Sequence, residues 1–406
     1  MDHHEIGRQV RYWRKRRGMT RRQFADRCGR SVAWVDKIES GERALLRLPL
    51  LETVAEVLGV EPSVLTGAAR ASAATRCVDA VEIGAIRQAL QRVEAITGLY
   101  GTSTETVSDV GPLRRQAGYL WTSFQYSRYS VLGAQLPMFL ITAQDAVASA
   151  PTEQLIDAQA VLSLAYQVTA SMLWKLKEPD LAWLAAERGM TLAERTGDPL
   201  LVSDAARRVA HGLMATGHIG PALVLIGADM DRLNSGLGNA SAEYLSVYGM
   251  LPLMGAVIAG RAGNAVAARD LLAGAATVAE RQGEDRNEHW TAFGPTNVAV
   301  HRTSVLVELG EGGTAIECAQ TISADGLAAM PRERRASHFL DVARGYALCG
   351  KPVEAAEHLV VADRLAEEEI RCRPAARDLI ATLLATWPQR PPAHLRRLAI
   401  LAGLPT

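Results

Sequence analysis

The chain has 406 residues, 48% hydrophobic and 22% charged, with 44 Lys and Arg balanced by 44 Asp and Glu. This is ordinary globular composition, long enough for two or three domains. Arg8, Arg11 and Arg14 argue against a signal peptide, and no apolar run is expected to reach the ~18–20 residues that span a membrane. The neutral total hides an asymmetry. Residues 1–70 hold 14 basic and 9 acidic side chains, whereas the remainder holds 30 and 35, a basic head on an acidic body. In chain order, Ile6, Val10 and Trp13 recur at i, i+4, i+7 and predict an opening helix with one apolar face. Thr20 and Gln23 have capping-box spacing, so a second helix starts at Arg21 and ends at Gly29. Ser31 then caps a third helix that stops before Gly41. Pro49, Leu51, Val54, Ala55 and Leu58 predict a fourth, closed by Gly59, and Pro62–Leu65 a last short turn.

Two short helices joined at a glycine, with small Ala25 facing their crossing, make a helix-turn-helix hairpin whose later helix fits the major groove. The segment resembles the XRE (Cro/C1-like repressor) family. That resemblance implies DNA contacts at Arg21, Ser31, Val32, Ala33, Trp34, Lys37 and Ser40, with Arg22 and Arg43 beside them. The family commonly carries Gln, Arg, Asn or Ser where this chain has Val32, Ala33 and Trp34. Lys37 is the best hydrogen-bond donor left for base edges, while Val32 and Ala33 suit thymine methyls. Trp34 packs on a sugar, on a partner or in the core. Arg11, Arg14, Lys15, Arg16, Arg17, Arg21, Arg22, Arg27 and Arg30 are expected to reach phosphates.

Residues 67–76, rich in Ala, Ser and Thr, read as a linker. Asp79 opens a helix with Val81, Ile86, Leu90 and Val93, and a Gly/Ser/Thr-rich loop runs from Gly101 to Pro112. Beyond it the periodicity is 3.6 throughout, without strand alternation. Short turns at Gly197-Asp198-Pro199, Gly217–Gly220, Gly263-Asn264, Gly310–Gly313 and Gly350-Lys351-Pro352 separate apolar helices from alanine-rich ones. This pattern resembles degenerate tetratricopeptide (TPR) repeats, most clearly over His338–Leu365. The expected fold is all-α, a helix-turn-helix domain followed by an α-solenoid of TPR-like hairpins. Its expected domains are 1–67 for DNA binding, 68–111 as linker and connecting helix, and 112–406 for the repeats. Stacked hairpins leave a concave surface lined by the first helix of each pair, suited to an elongated ligand.

Polar and aromatic residues set into these apolar helices are candidate ligand contacts. They are Trp121, Tyr126, Tyr166, Arg207 and His211, then Arg286, Asn287, Trp290, Phe293, Asn297 and His301. Chain-wide, the arrangement resembles actinobacterial helix-turn-helix regulators with a helical-repeat C-terminal domain. Its architecture is similar to that of Gram-positive peptide-pheromone receptors, where a groove Asn clamps the peptide; Asn297 is the local candidate.

P-loop, nucleophile-elbow and H-E-x-x-H motifs are absent, so no catalytic residue, metal site or cofactor is expected. Cys28, Cys77, Cys318, Cys349 and Cys372 form no C-x-x-C pair and read as small core residues of a reducing cytoplasm. The expected function is a cytoplasmic, dimeric transcriptional regulator. Its expected partners are double-stranded DNA, a second copy, and a peptide or small-molecule effector; no membrane is expected. The alternative is a repeat scaffold that captures another protein and binds DNA only weakly.

Overall fold

The computed structural model describes residues 3–43, 45, 48–60, 62–65, 78–92 and 109–405, and all their regular elements are helices. The head holds α1 (His3–Arg16), α2 (Arg21–Arg27), α3 (Val32–Glu39), α4 (Leu48–Leu58) and α5 (Pro62–Leu65). Local chemistry sets its boundaries. Thr20 Oγ1 accepts from the Gln23 amide at 3.2 Å, and Gln23 Oε1 accepts from the Thr20 amide at 2.9 Å. Ser31 Oγ accepts from the Trp34 amide at 3.2 Å, satisfying an amide that the first turn of α3 leaves free. Gly29, at φ 63°, makes the left-handed turn between the two helices. Ile6, Val10, Trp13, Phe24, Val35, Ile38, Val54 and Leu58 form the head's core. Burying each such side chain contributes roughly 1.5–3 kcal/mol. Gly7 lets α1 lie against the carbonyls of Ile38 and Glu39, where a Cβ has no room.

The body is a series of antiparallel helix pairs. They are α7 (Gly111–Gln125) with α8 (Tyr129–Ser149), α9 (Thr152–Lys175) with α10 (Pro179–Thr196), and α11 (Pro199–Ala215) with α12 (Ile219–Asn234). Next come α13 (Ala242–Arg261) with α14 (Ala265–Gln282) and α15 (Pro295–Glu308) with α16 (Gly312–Gln320). After the short α17 (Ala324–Ala329), α18 (Arg332–Leu348) pairs with α19 (Pro352–Leu365). The short α20 (Glu367–Cys372) leads to the pair α21 (Pro374–Thr386) and α22 (Ala393–Leu401). Small side chains bring paired helices together: Ala182, Ala185, Ala186 and Gly189 of α10 are buried, with Gly189 against α9.

The array closes on itself. Ser130 at the start of α8 donates from its amide and hydroxyl to Glu368, at 2.8 and 2.6 Å. The Tyr129 hydroxyl bonds to Glu369, whose other oxygen accepts from Lys175 Nζ at 2.6 Å. α18 also packs against α7, so the last pairs meet the first.

α6 (Ala80–Leu90) joins head and body. Its N-cap Asp79 and Glu82 form a capping box, while its far end is held by the body. Gln144 Nε2 donates to the Ala89 carbonyl at 3.0 Å, and Arg188 donates to the Leu90 carbonyl. From the head, Arg16 grips Glu82 with two bonds of 2.8 Å, and Arg17 pairs with Asp79. This corrects the expectation that Arg14, Arg16 and Arg17 reach phosphates. Arg14 is buried against Glu39, and the other two side chains are nearly covered by α6, because an ionised group removed from water needs an opposite charge.

Two further expectations change. α8 and α13, at 21 and 20 residues with hydropathy 1.3, are long and apolar enough to cross a membrane. Their apolarity has a local use, since each packs within its helix pair. Cys28, Cys318 and Cys349 are free thiols, whereas Cys372 is disulfide-bonded rather than a lone core thiol. The linker at 67–76, Val93, most of the loop at 101–112 and Cys77 lie outside the described residues.

Candidate functional site

On the head, α3 turns Val32, Ala33, Asp36, Lys37 and Ser40 outward and Trp34, Val35 and Ile38 inward. Trp34 is 6% exposed and belongs to the core, which corrects its expected place on the DNA face. Its ring falls on the same side of the helix as Ile38, four residues on. Ser31 is committed through its hydroxyl to the helix cap. Arg22, Lys37 and Arg43 are exposed. Arg21 is half-exposed and already paired, 2.9 Å from Asp36 and 3.3 Å from Glu39.

A concavity of about 420 Å³ lies where α1, α2 and α3 meet, lined by Arg11, Arg21, Ala33, Asp36, Lys37, Glu39, Ser40 and Glu42. Arg11 stands here as expected of a phosphate contact, whereas Asp36, Glu39 and Glu42 were not expected at this face. The spacing Ala33, Asp36, Lys37, Ser40 was the available signal, since i, i+3, i+4 and i+7 share one helix face. A lysine and a carboxylate side by side there offer a donor for guanine and an acceptor for the cytosine amine.

The body encloses a second, larger concavity of about 980 Å³. Its wall comes chiefly from the first helix of each pair. α7 gives Trp121, α9 gives Trp174 and Lys175, and α11 gives Arg207, Arg208 and His211. α13 adds Met250, Met254, Val257 and Arg261; α15 adds His301, Ser304 and Glu308; α18 adds Arg334 and His338. Eight lining Lys and Arg face four lining carboxylates, so the wall carries excess positive charge.

Some of that charge is neutralised within the wall. Lys175 lies 2.5 Å from Glu333, Arg344 lies 2.8 Å from Glu308, and Arg207 and Arg208 lie 2.5 and 3.1 Å from Asp204. Burial favours the neutral forms of these carboxylates, but Lys175 holds Glu333, and Arg207 and Arg208 hold Asp204, well below the ordinary carboxylate range. The lining histidines go the other way. His211, stacked on the Trp174 ring and exposed to the cavity, is lowered from its ordinary value by desolvation and then by the nearby Arg261. Burial and Arg334 lower His301 to about 3, and burial lowers His338 to about 4 against the pull of Asp341.

The segment before α15 forms one edge of this cavity. His289, Trp290 and Ala292 take φ of 48°, 54° and 50°, a left-handed conformation that costs non-glycine residues about 1–3 kcal/mol each. Tertiary bonds hold it. Gln125 and Asn287 exchange side-chain hydrogen bonds of 2.9 Å, and Gln125 donates to the Trp290 carbonyl at 3.0 Å. His289 bridges Asp204 and Glu243; against the effect of burial, these raise it to about 9. Trp290 then stacks on Trp121 with centroids 5.6 Å apart, and the Arg208 guanidinium lies 4.9 Å from the Trp121 ring.

Of the ligand contacts expected from sequence, Trp121, Arg207, His211, Trp290 and His301 line this cavity. The others do not, and each has a structural reason. Tyr126 is outside, under Arg128 and Arg332, and the Tyr166 hydroxyl accepts from Gln144 in the core. Arg286 is exposed and paired with Glu284, while Asn287 anchors the strained segment. Phe293 is fully buried over Gly249. Asn297 is fully buried, donating to the Thr291 carbonyl at 3.3 Å, one turn short of the cavity reached by His301 and Ser304. The sequence reading overlooked Trp174, Lys175 and Arg334 as ligand candidates, because charges near helix ends look like a solvated face.

The model of a helix-turn-helix domain family matches residues 5–69. No curated protein matches the chain. The class defined by head and fold together is an all-helical protein with an N-terminal helix-turn-helix domain, which supports a DNA-binding regulator.

Proposed function

We propose that the chain is a cytoplasmic, sequence-specific transcriptional regulator that binds operator DNA as a homodimer. In this reading residues 1–67 bind DNA, 68–111 connect, and 112–406 form TPR-like repeats whose cavity takes a peptide or small-molecule effector. The observation that carries it is the outward face of α3, with Asp36 and Lys37 beside Arg21 and Arg22 of α2. One such head contacts too few base pairs for high specificity; two half-sites one helical turn apart supply the rest. α6 is the route from effector to DNA, being gripped by Arg16 and Arg17 on one side and by Gln144 and Arg188 on the other. An effector favouring one arrangement of the body would shift the heads by its differential affinity.

A gel-shift titration with Lys37→Ala and Arg22→Ala tests the DNA face. Both variants should weaken operator binding by about tenfold or more while the helical melt is unchanged, as expected for losing a base contact and a phosphate contact. Parental affinity in both would remove α2 and α3 from the interface. The pairing of Arg21 with Asp36 and Glu39 favours a second reading, a scaffold with weak DNA binding, because it leaves fewer free cations beside α3. That reading predicts shallow, sequence-independent binding that disappears near physiological salt.

A further inference from the structure

We infer that the central cavity binds an amphipathic organic anion, a molecule with a carboxylate or phosphate head and an apolar body. This rests on the effector-sensing reading above and gives the effector a chemical class. Three independent features converge on it.

The first is charge. The lining cations outnumber the lining carboxylates, and Glu308, Glu333 and Asp341 are already engaged by Arg344 and Lys175. Asp378 is the lining carboxylate outside these pairs. Asp204 and Glu369 behind the wall pair with Arg207, Arg208, Lys175 and Arg373. Six carboxylates against eight cations still leave the wall positive, which disfavours a cationic ligand. Enclosure in a concave, low-dielectric wall strengthens what the excess cations do for an incoming anion.

The second is unmet hydrogen bonding. Four buried donor atoms of lining residues make no hydrogen bond within the protein: the indole N–H groups of Trp121 and Trp174, and the Nε–H groups of Arg207 and Arg334, the last 3.9 Å from a Glu333 oxygen. Trp121 is itself 3% exposed. A buried donor without a partner costs about 1–3 kcal/mol, so acceptor atoms rather than further donors complement this part of the wall. All four groups can only donate.

The third is the apolar wall. Met250, Met254 and Val257 follow i, i+4, i+7 along α13 and lead to Arg261, with Met214 facing from α11. Methionines adapt to the shape of a flexible apolar group. A wall that is apolar in one stretch and cationic at its end suits a ligand with the same division. The volume, about 980 Å³, matches metabolite-sized ligands rather than a folded partner.

The test is isothermal titration of the purified full chain, without DNA, using probes that share an eight-carbon body. Octanoate and octyl phosphate carry the anionic head, octanol and octylamine do not, and inorganic phosphate and acetate supply the head alone. At least one of the two long anions should bind about tenfold or more tightly than octanol, octylamine and both heads alone. The better of the two identifies the head group. Arg334→Glu should lower that affinity by about tenfold or more, and Arg334→Lys should restore part of it, with thermal melts showing that both variants fold. Equal binding of octanol, tighter binding of octylamine, saturation by the heads alone, or no binding by either anion would each overturn the inference. The readout contains no DNA, so specific operator binding with no anion bound rejects the ligand class alone. Anion binding that leaves operator affinity unchanged rejects the sensing reading and spares the ligand class.

Discussion

Arg14 of α1 and Glu39 at the end of α3 form a two-pronged ion pair of 2.5 and 3.0 Å with both side chains buried. Arg14 also donates to the Met19 carbonyl at 2.7 Å, so one guanidinium ties the opening helix, the following turn and α3 together. Glu39 in turn reaches Arg21 on α2. The outward face of α3 is thus set by a charge pair beneath it.

Breaking that pair from one side strands the other charge. Glu39→Ala should destabilise the head by about 3–5 kcal/mol, the usual cost of leaving a buried ion unpaired. Chemical denaturation followed by tryptophan fluorescence checks this, since Trp13 and Trp34 lie in the head's core. A change below about 1 kcal/mol, the scale of a surface pair, would contradict the buried role.

The junction at α6 makes its own prediction. Glu82 is 5% exposed and takes two bonds from Arg16, so Glu82→Ala should release the head from the body. Calorimetry should then resolve the parent's coupled melt into two transitions, the body keeping its midpoint. A single transition merely shifted downward would show that Glu82 supports α6 without coupling the units.

Ring closure concentrates on Glu369, which is fully buried among Lys175, Arg373, Ser337 and Tyr129. Glu369→Ala should cost about 3–5 kcal/mol and raise hydrogen exchange in both α8 and α20. Glu368→Ala, at the partly exposed Ser130 contact, should cost less. An equal loss in the two would place the closing force elsewhere.

Stability should peak near neutral pH. The folded values of His301 and His338, about 3 and 4, lie below the ordinary 6.5, so the unfolded chain takes up protons first. Their contribution is complete above pH 6.5 and is lost as pH falls toward those values. His289, raised to about 9, does the reverse: its contribution is complete below pH 6.5 and is lost as pH rises through 9. Melting midpoints across pH 4–10 check both limbs (the range is chosen to bracket ~6.5, the free imidazole value). His289→Asn should flatten the alkaline limb and leave the acid limb alone.

What the sequence disclosed followed the range of the interaction. The Thr20–Gln23 and Ser31 caps were legible because each joins residues three apart. The turns at Gly217, Gly263, Gly310 and Gly350 were legible because glycine alone adopts positive φ cheaply. The first two hairpins turn at Ser127 and Lys177, which take φ of 54° and 60° and carry no such mark. Closure by Glu368 and Glu369 spans about 240 positions, beyond any local pattern. In the cavity, Trp121, Arg207, His211, Trp290 and His301 stood out as polar or aromatic insertions in apolar helices. Asn297 stood out equally, but the strained segment covers the first turn of α15, a tertiary fact.

The central claim is sequence-specific DNA recognition by two copies of the head. Selection of genomic fragments by the purified chain at near-physiological salt tests it most directly. The account predicts enrichment of an inverted repeat whose half-sites lie about 34–36 Å apart, one turn of the duplex. No enrichment over random fragments would contradict it and favour the scaffold reading.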